Sequence, residues 1–195
     1  MRFFLLTIFS VIIGSVFAQS DAKPTVKKDA DFSVRANWNY QFFTFSGKRT
    51  NSTSVGGIIE KRINYESTMG ISINYITRME DADEQSKNFP QYNEVVHISP
   101  FFRKYFDRGM SGPYTAFALG MGIPMEKGVQ WDVGGHVGYL LKHNNIAVDF
   151  LIQMGFGSFR YSDDQYSSNG LYLGSYSYVD YGFFFRPGVN IGFAF

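Results

Sequence analysis

Three observations in the 195-residue sequence predict an all-β protein, an eight-stranded antiparallel up-and-down transmembrane β-barrel preceded by a cleaved signal peptide. From Asp31 onward, apolar and polar residues alternate at a spacing of two, in segments of roughly ten residues divided by turn-forming clusters. Aromatic residues make up 18% of the chain, as 21 Phe, 13 Tyr and 2 Trp beside 20 Gly, although the mean hydropathy is slightly negative. A soluble core does not need so many rings. The closing stretch PGVNIGFAF sets Val189, Ile191, Phe193 and Phe195 on one strand face up to the terminus, where chains ordinarily fray. Something apolar has to cover that face.

The elements follow in order. Residues 1–18 read as a secretion signal, with Arg2 as the positive start, an almost wholly apolar run from Phe3 to Ser15, and VFA before a cut expected after Ala18. The run is shorter than the ~20 apolar residues that span a bilayer as a helix. Residues 19–30, QSDAKPTVKKDA, are polar and aperiodic and are expected to form a flexible lead to the barrel domain, residues 31–195. The first strand, DFSVRANWNYQF, sets Phe32, Val34, Ala36, Trp38, Tyr40 and Phe42 against Ser33, Arg35, Asn37, Asn39 and Gln41. The second, TSVGGIIEKRIN, is less tidy because Ile58 and Ile59 are both apolar; its outward row is assigned to Val55, Gly57 and Ile59. The third sets Met69, Ile71, Ile73 and Tyr75 against Gly70, Ser72 and Asn74. In the fourth, Val96, Ile98, Pro100 and Phe102 oppose His97, Ser99 and Arg103. The fifth sets Thr115, Phe117, Leu119, Met121 and Ile123 opposite Ala116, Ala118, Gly120 and Gly122. The sixth and seventh put Trp131, Val133, Val137 and Tyr139, then Ile146 to Phe156, on the apolar side, and Asp132, His136, Asp149 and Gln153 on the other. The eighth runs from Tyr181 to Phe195 with Arg186 and Asn190 on its polar face.

Connections provide an independent check. With the first strand rising from the periplasm, the upper loops fall near Ser46–Ser52, Glu80–Tyr92, Pro124–Gly128 and Tyr161–Ser177. The lower turns fall near Asn64–Ser67, Asp107–Gly112 and Lys142–Asn145. Two upper loops are much longer than any lower turn, as outer-membrane barrels demand. An even strand count also leaves both termini on the periplasmic side.

Alternation does not say which face looks inward. A soluble barrel buries its apolar rows, whereas an outer-membrane barrel shows them to lipid. The rows here carry no charge in their middles, and Tyr40, Tyr75, Trp131, Tyr139 and Tyr181 lie towards row ends, where amphipathic rings meet headgroups. The opposite rows mix small residues with Arg and Asp, a set that fills the narrow interior of an eight-stranded barrel. The prediction is therefore lipid outside. A bilayer offers no water to unpaired backbone groups, so the last strand should pair with the first.

On these residues the chain resembles the small eight-stranded outer-membrane barrel families, the group that includes OmpX, OmpW and the OmpA transmembrane domain. The matching features are the signal MRFFLLTIFSVIIGSVFA, the alternating strands over Asp31 to Phe195, and the terminal aromatic. The resemblance is architectural, and no motif selects a member. It implies that NIGFAF, through Ile191, Phe193 and Phe195, is similar to the signal read by the barrel-assembly machinery. It also implies residence in the outer membrane of a Gram-negative-type bacterium, as a monomer in contact with membrane lipid and lipopolysaccharide. No periplasmic peptidoglycan-binding domain of the OmpA kind is expected after the last strand.

Function is then sought in the lumen and the loops. Arg35, Glu60, Arg62, Arg103, Asp132, His136, Asp149 and Arg186 share the inward parity, and buried charges have to be paired. They form either a packing network or, as the alternative, a narrow path for ions or small solutes. Asp163, Asp164, Tyr166, Tyr172, Tyr176 and Tyr178 belong to an outer loop rich in Ser, Tyr, Gly and Asp, a mixture suited to surface recognition. A third reading is a lipid A-modifying enzyme, which needs a Ser or His activated by a base. The chain has His97, His136 and His143 alone for that task, and His97 shares a face with Ser99 merely because they are two apart. No catalytic residue is assigned, and the expectation is a structural or surface-interaction role without chemistry. Neither a cofactor nor a metal site is predicted, because no His/Asp/Glu spacing fits one and VGGH lacks a strand-to-helix context. The formal charge of +1 falls to zero once Arg2 is removed, which argues against nucleic acid, and the absence of Cys excludes disulfides and a lipid-modified Cys.

Overall fold

In a computed structural model the chain forms a closed antiparallel barrel of eight strands, each paired with its sequence neighbours, with β8 returning to β1. The structure describes residues 30–45, 48–81, 94–107, 109–124, 128–166, 170 and 172–195. The signal segment and the lead up to residue 29 lie outside the described residues. The strands are β1 (Phe32–Phe45), β2 (Lys48–Arg62), β3 (Ser67–Asp81), β4 (Glu94–Tyr105), β5 (Gly112–Pro124), β6 (Val129–His143), β7 (Ile146–Tyr166) and β8 (Tyr172–Ala194).

The period of two decides every face. In β1, Ser33, Arg35, Asn37, Asn39 and Gln41 are buried while Val34, Trp38 and Phe42 are exposed. The ambiguous pair in β2 resolves as expected, since Ile58 is 5% exposed and Ile59 is 47%. Around the barrel the outward row continues through Ile71 and Ile73, Phe102, Phe117 to Ile123, Trp131, Ile152 to Phe156, and Phe183 to Phe193. Pro100 and Pro187 sit in this row, and the paired registers skip Ser99 and Pro100 between β4 and β5, and Tyr40 and Gln41 between β1 and β8. A proline has no N–H to give a ladder.

The terminus is held as its apolar row required. The N–H of Phe195 donates to the Phe32 carbonyl at 2.8 Å, and its own carbonyl accepts from Asp31 and Phe32 at 3.0 and 2.9 Å. The two Phe rings lie 5.6 Å apart. Ala30, assigned to the flexible lead from sequence, is buried beside Tyr105, Met110, Tyr114, Leu140 and Ala194, so order begins slightly earlier.

Three short turns share the end that carries both termini, here called the lower end. Their described residues are 63–66, 106–107 with 109–111, and the pair Asn144–Asn145, where Asn144 has φ 54°, a left-handed conformation that Asn tolerates. His143 is the last residue of β6 rather than part of a turn. The upper connections need more correction. Lys48 to Ser52 belong to β2, not to a loop. Most of the segment predicted as the loop Tyr161–Ser177 is paired strand: Tyr161 faces Tyr178, Asp163 faces Tyr176, and Asp164 faces Ser175. Serine and tyrosine favour turns or surfaces by composition, but β-hairpin pairing satisfies their backbone without a loop. The parts of the predicted loops at 46–47, 82–92, 125–127, 167–169 and 171 lie outside the described residues.

Candidate functional site in the barrel lumen

The interior is built in layers from the inward parity of all eight strands. Near the lower end, Asp149 of β7 and Glu60 of β2 face Arg35 of β1 and Arg103 of β4, and all four side chains are essentially shielded from solvent. Arg35 donates from Nη1 to Asp149 Oδ2 at 3.0 Å and from Nη2 to Glu60. Arg103 lies 3.3 Å from Glu60 Oε2 and 3.2 Å from Asp149 Oδ2. Two cations therefore meet two anions, and hydroxyl and amide donors fill the remaining lone pairs. Tyr114 Oη donates to Asp149 Oδ1 at 2.7 Å and Asn190 Nδ2 to Oδ2 at 2.8 Å, while Tyr105 and Thr68 donate to Glu60. The Arg103 guanidinium also lies 3.8 Å from the centroid of the Tyr114 ring. Gly138 makes room for this arrangement, because a Cβ there would collide with the Tyr114 hydroxyl.

Higher in the barrel, His97 Nε2 and Asp132 Oδ2 lie 2.6 Å apart, both fully buried. Arg186 takes a different kind of partner. Its Nε donates to Gln41 Oε1 at 2.6 Å and its Nη1 to Gln153 Oε1 at 2.9 Å, both neutral amides. Above them Phe43 and Phe184 pack with centroids 5.7 Å apart, and Phe184 fills the space left by Gly134, where a Cβ would come within 2.9 Å of its ring. Apolar groups thus close the lumen above and below the charged layers: Phe43, Phe184, Ile76 and Val95 at one end, Tyr105, Tyr114, Met110 and Leu140 at the other. Between them remains a small cavity of about 20 Å³, lined by Asn37, Asn74, Arg103, Gln153, Arg186 and Asn190 among others.

Of the eight lumen residues expected from sequence, Arg35, Glu60, Arg103 and Asp149 form one network. Asp132 pairs separately with His97. Arg62 leaves the buried group, for it bonds Asp31 at the lower rim, at 2.6 Å. It is the last residue of β2, so its long side chain reaches the mouth. His136 lines the cavity with its Nε2 unbonded, 6.4 Å from the Phe101 ring centroid, and joins neither charge group. The six outer-loop candidates are corrected in place: Asp163, Asp164 and Tyr166 lie in β7, and Tyr172, Tyr176 and Tyr178 in β8, as rungs of a hairpin. Ile191, Phe193 and Phe195 are exposed on the outer face. The donors Tyr105, Tyr114, Thr68 and Asn190 were missed as network members, although their parity with Arg103, Ala116, Gly70 and Arg186 respectively was visible. Among the described residues no group of three or more His, Cys, Asp or Glu could hold a metal.

The fold is similar to that of a solved outer-membrane protein. The crystal structure of the outer membrane protein OprG from Pseudomonas aeruginosa matches with TM-score 0.54 and 12% identity, over 86% of this chain and 97% of that one. Neisserial surface protein A matches with TM-score 0.45 and 14% identity, over 85% and 99% of the respective chains. No protein-family model and no curated protein matches the sequence. At 12% identity the likeness to OprG concerns the fold alone.

Proposed function

We propose that the protein is an integral outer-membrane barrel of a Gram-negative-type bacterium, exported behind a cleaved signal, whose role is structural or surface-interacting and not catalytic. The observation that carries this reading is the inversion of the usual burial rule: Trp38, Phe117, Leu119, Trp131, Phe156 and Ile191 are exposed around the outer wall while Arg35, Glu60, Arg103 and Asp149 are buried. A continuous apolar belt around a polar interior is stable in lipid and is a liability in water. The likeness in fold to OprG supports the same location.

The lumen favours packing over passage, because a 2+2 charge network and two apolar ends occupy it. Lipid A chemistry receives little support, since the buried His97 is already engaged by Asp132. Lipopolysaccharide contact and recognition by the assembly machinery through Ile191, Phe193 and Phe195 belong to the same reading, as does a monomeric state. Fractionation of a Gram-negative host, followed by cold gels with and without boiling, tests it. An outer-membrane band that shifts on heating is expected; a soluble periplasmic product without a shift would overturn the reading.

A further inference from the structure

The lumen is balanced in formal charge but not in pairing. Three guanidinium groups, Arg35, Arg103 and Arg186, face three carboxylates, Glu60, Asp149 and Asp132. Two of each are used up in the lower network, and the third carboxylate is held by His97. Arg186, 3% exposed, is left with two neutral amides, and no carboxylate among the described residues lies within ion-pair distance of it. Its Nη2 has no hydrogen-bond partner, nor do Gln153 Nε2 and Arg103 Nε. All three residues line the central cavity, which no acidic residue lines.

We infer that this cavity is an anion site, occupied by one chloride-sized monovalent anion held by Arg186 with help from Gln153 and Arg103. An arginine cannot shed its proton to escape burial, and Asp132, bonded to His97, acts on Arg186 only from beyond ion-pair distance, so the guanidinium lacks a close counter-charge in a low-dielectric interior. Water would satisfy the free N–H groups and leave the guanidinium with Asp132 as a distant counter-charge alone. An anion supplies both the acceptor and the close charge, through charge-assisted hydrogen bonds. Size selects among anions, because about 20 Å³ admits one or two water-sized occupants and excludes sulfate or phosphate. The free carbonyl oxygens of Asn37, Asn74 and Asn190 also face this space and call for a donor, which one water beside the anion supplies. The site depends on the closed barrel and not on the cellular role proposed above.

The test uses the folded mature chain in detergent. Crystals grown after refolding in bromide should give an anomalous peak within hydrogen-bonding distance of Arg186 Nη2. In solution, unfolding is compared in chloride and in gluconate at equal ionic strength, gluconate being too large to enter. Chloride at ten times its Kd should lower the unfolding constant about elevenfold. Arg186→Gln should abolish that difference and Arg186→Lys should retain part of it. If Arg186→Gln does not fold, the bromide peak and the chloride dependence of the wild type decide alone. A cavity without anomalous signal, equal unfolding in the two salts, or a chloride effect that persists in Arg186→Gln would each overturn the inference.

Discussion

Asp149 accepts from Arg35, Arg103, Tyr114 and Asn190, side chains contributed by four different strands. A buried carboxylate with that many donors is tolerated because almost every lone pair is used. Removing it strands two guanidinium groups on the single carboxylate of Glu60. Asp149→Ala is therefore expected to cost about 3–5 kcal/mol, the range for breaking a buried pair by deleting one partner. Tyr114→Phe, which deletes one donor to the same carboxylate, should cost about 1.5–3 kcal/mol. Denaturant unfolding in lipid vesicles measures both. Equal and small losses would mean that the network is hydrated and not load-sharing.

At the scale of the element, the two faces of a strand obey opposite rules. Leu119 lies in the middle of β5, 53% exposed, and Ile146 opens β7 at the lower rim, 52% exposed. Equal exposure makes them a fair comparison of depth. Leu119→Arg should destabilise the vesicle-embedded barrel by about 2–4 kcal/mol, and Ile146→Arg by about 0–1, because the cost of a lipid-facing cation falls towards the interface. Similar costs for the two would argue against a bilayer around the wall. The β7–β8 hairpin poses a separate question of stability. Beyond Arg160 and Gly182 the two strands pair, among the described residues, with each other alone, whereas their lower parts are flanked by β6 and β1. A two-stranded ribbon has little independent stability. Brief protease treatment of the folded protein should therefore cut between Tyr161 and Tyr181 and leave the remaining barrel heat-modifiable on a gel.

For the whole molecule, the interior layers decide whether anything passes. Closing the ring brings Phe43 against Phe184 above and Tyr105 against Tyr114 below, at 5.7 and 5.5 Å between centroids. With the Arg35, Glu60, Arg103 and Asp149 network filling the space between these plugs, planar-bilayer recordings of the purified barrel are expected to show no discrete conductance steps. Opening the lower network by Asp149→Ala with Arg103→Ala should introduce them if the charge network is the barrier and leave the recordings silent if the ring plugs are. Steps in the wild type would instead favour the narrow-channel reading.

The local chemistry of the chain determined the eight strands, the parity of each and the pairing of the first with the last, because side-chain direction in a strand depends only on counting by two. Even the doubtful choice between Ile58 and Ile59 came out of that count. Tyr105 and Tyr114 were equally countable and were overlooked because aromatic residues were read as lipid-facing. The hairpin above Arg160 was misjudged for a related reason, since turn-rich composition carries no information about a partner strand. What only the tertiary structure decided is which charges meet. Arg35 and Asp149 are 114 residues apart, and they touch because barrel closure and strand register set them at one height. The same geometry left Arg186 among amides and sent Arg62 to the rim, distinctions that sequence parity, being identical for all of them, cannot draw.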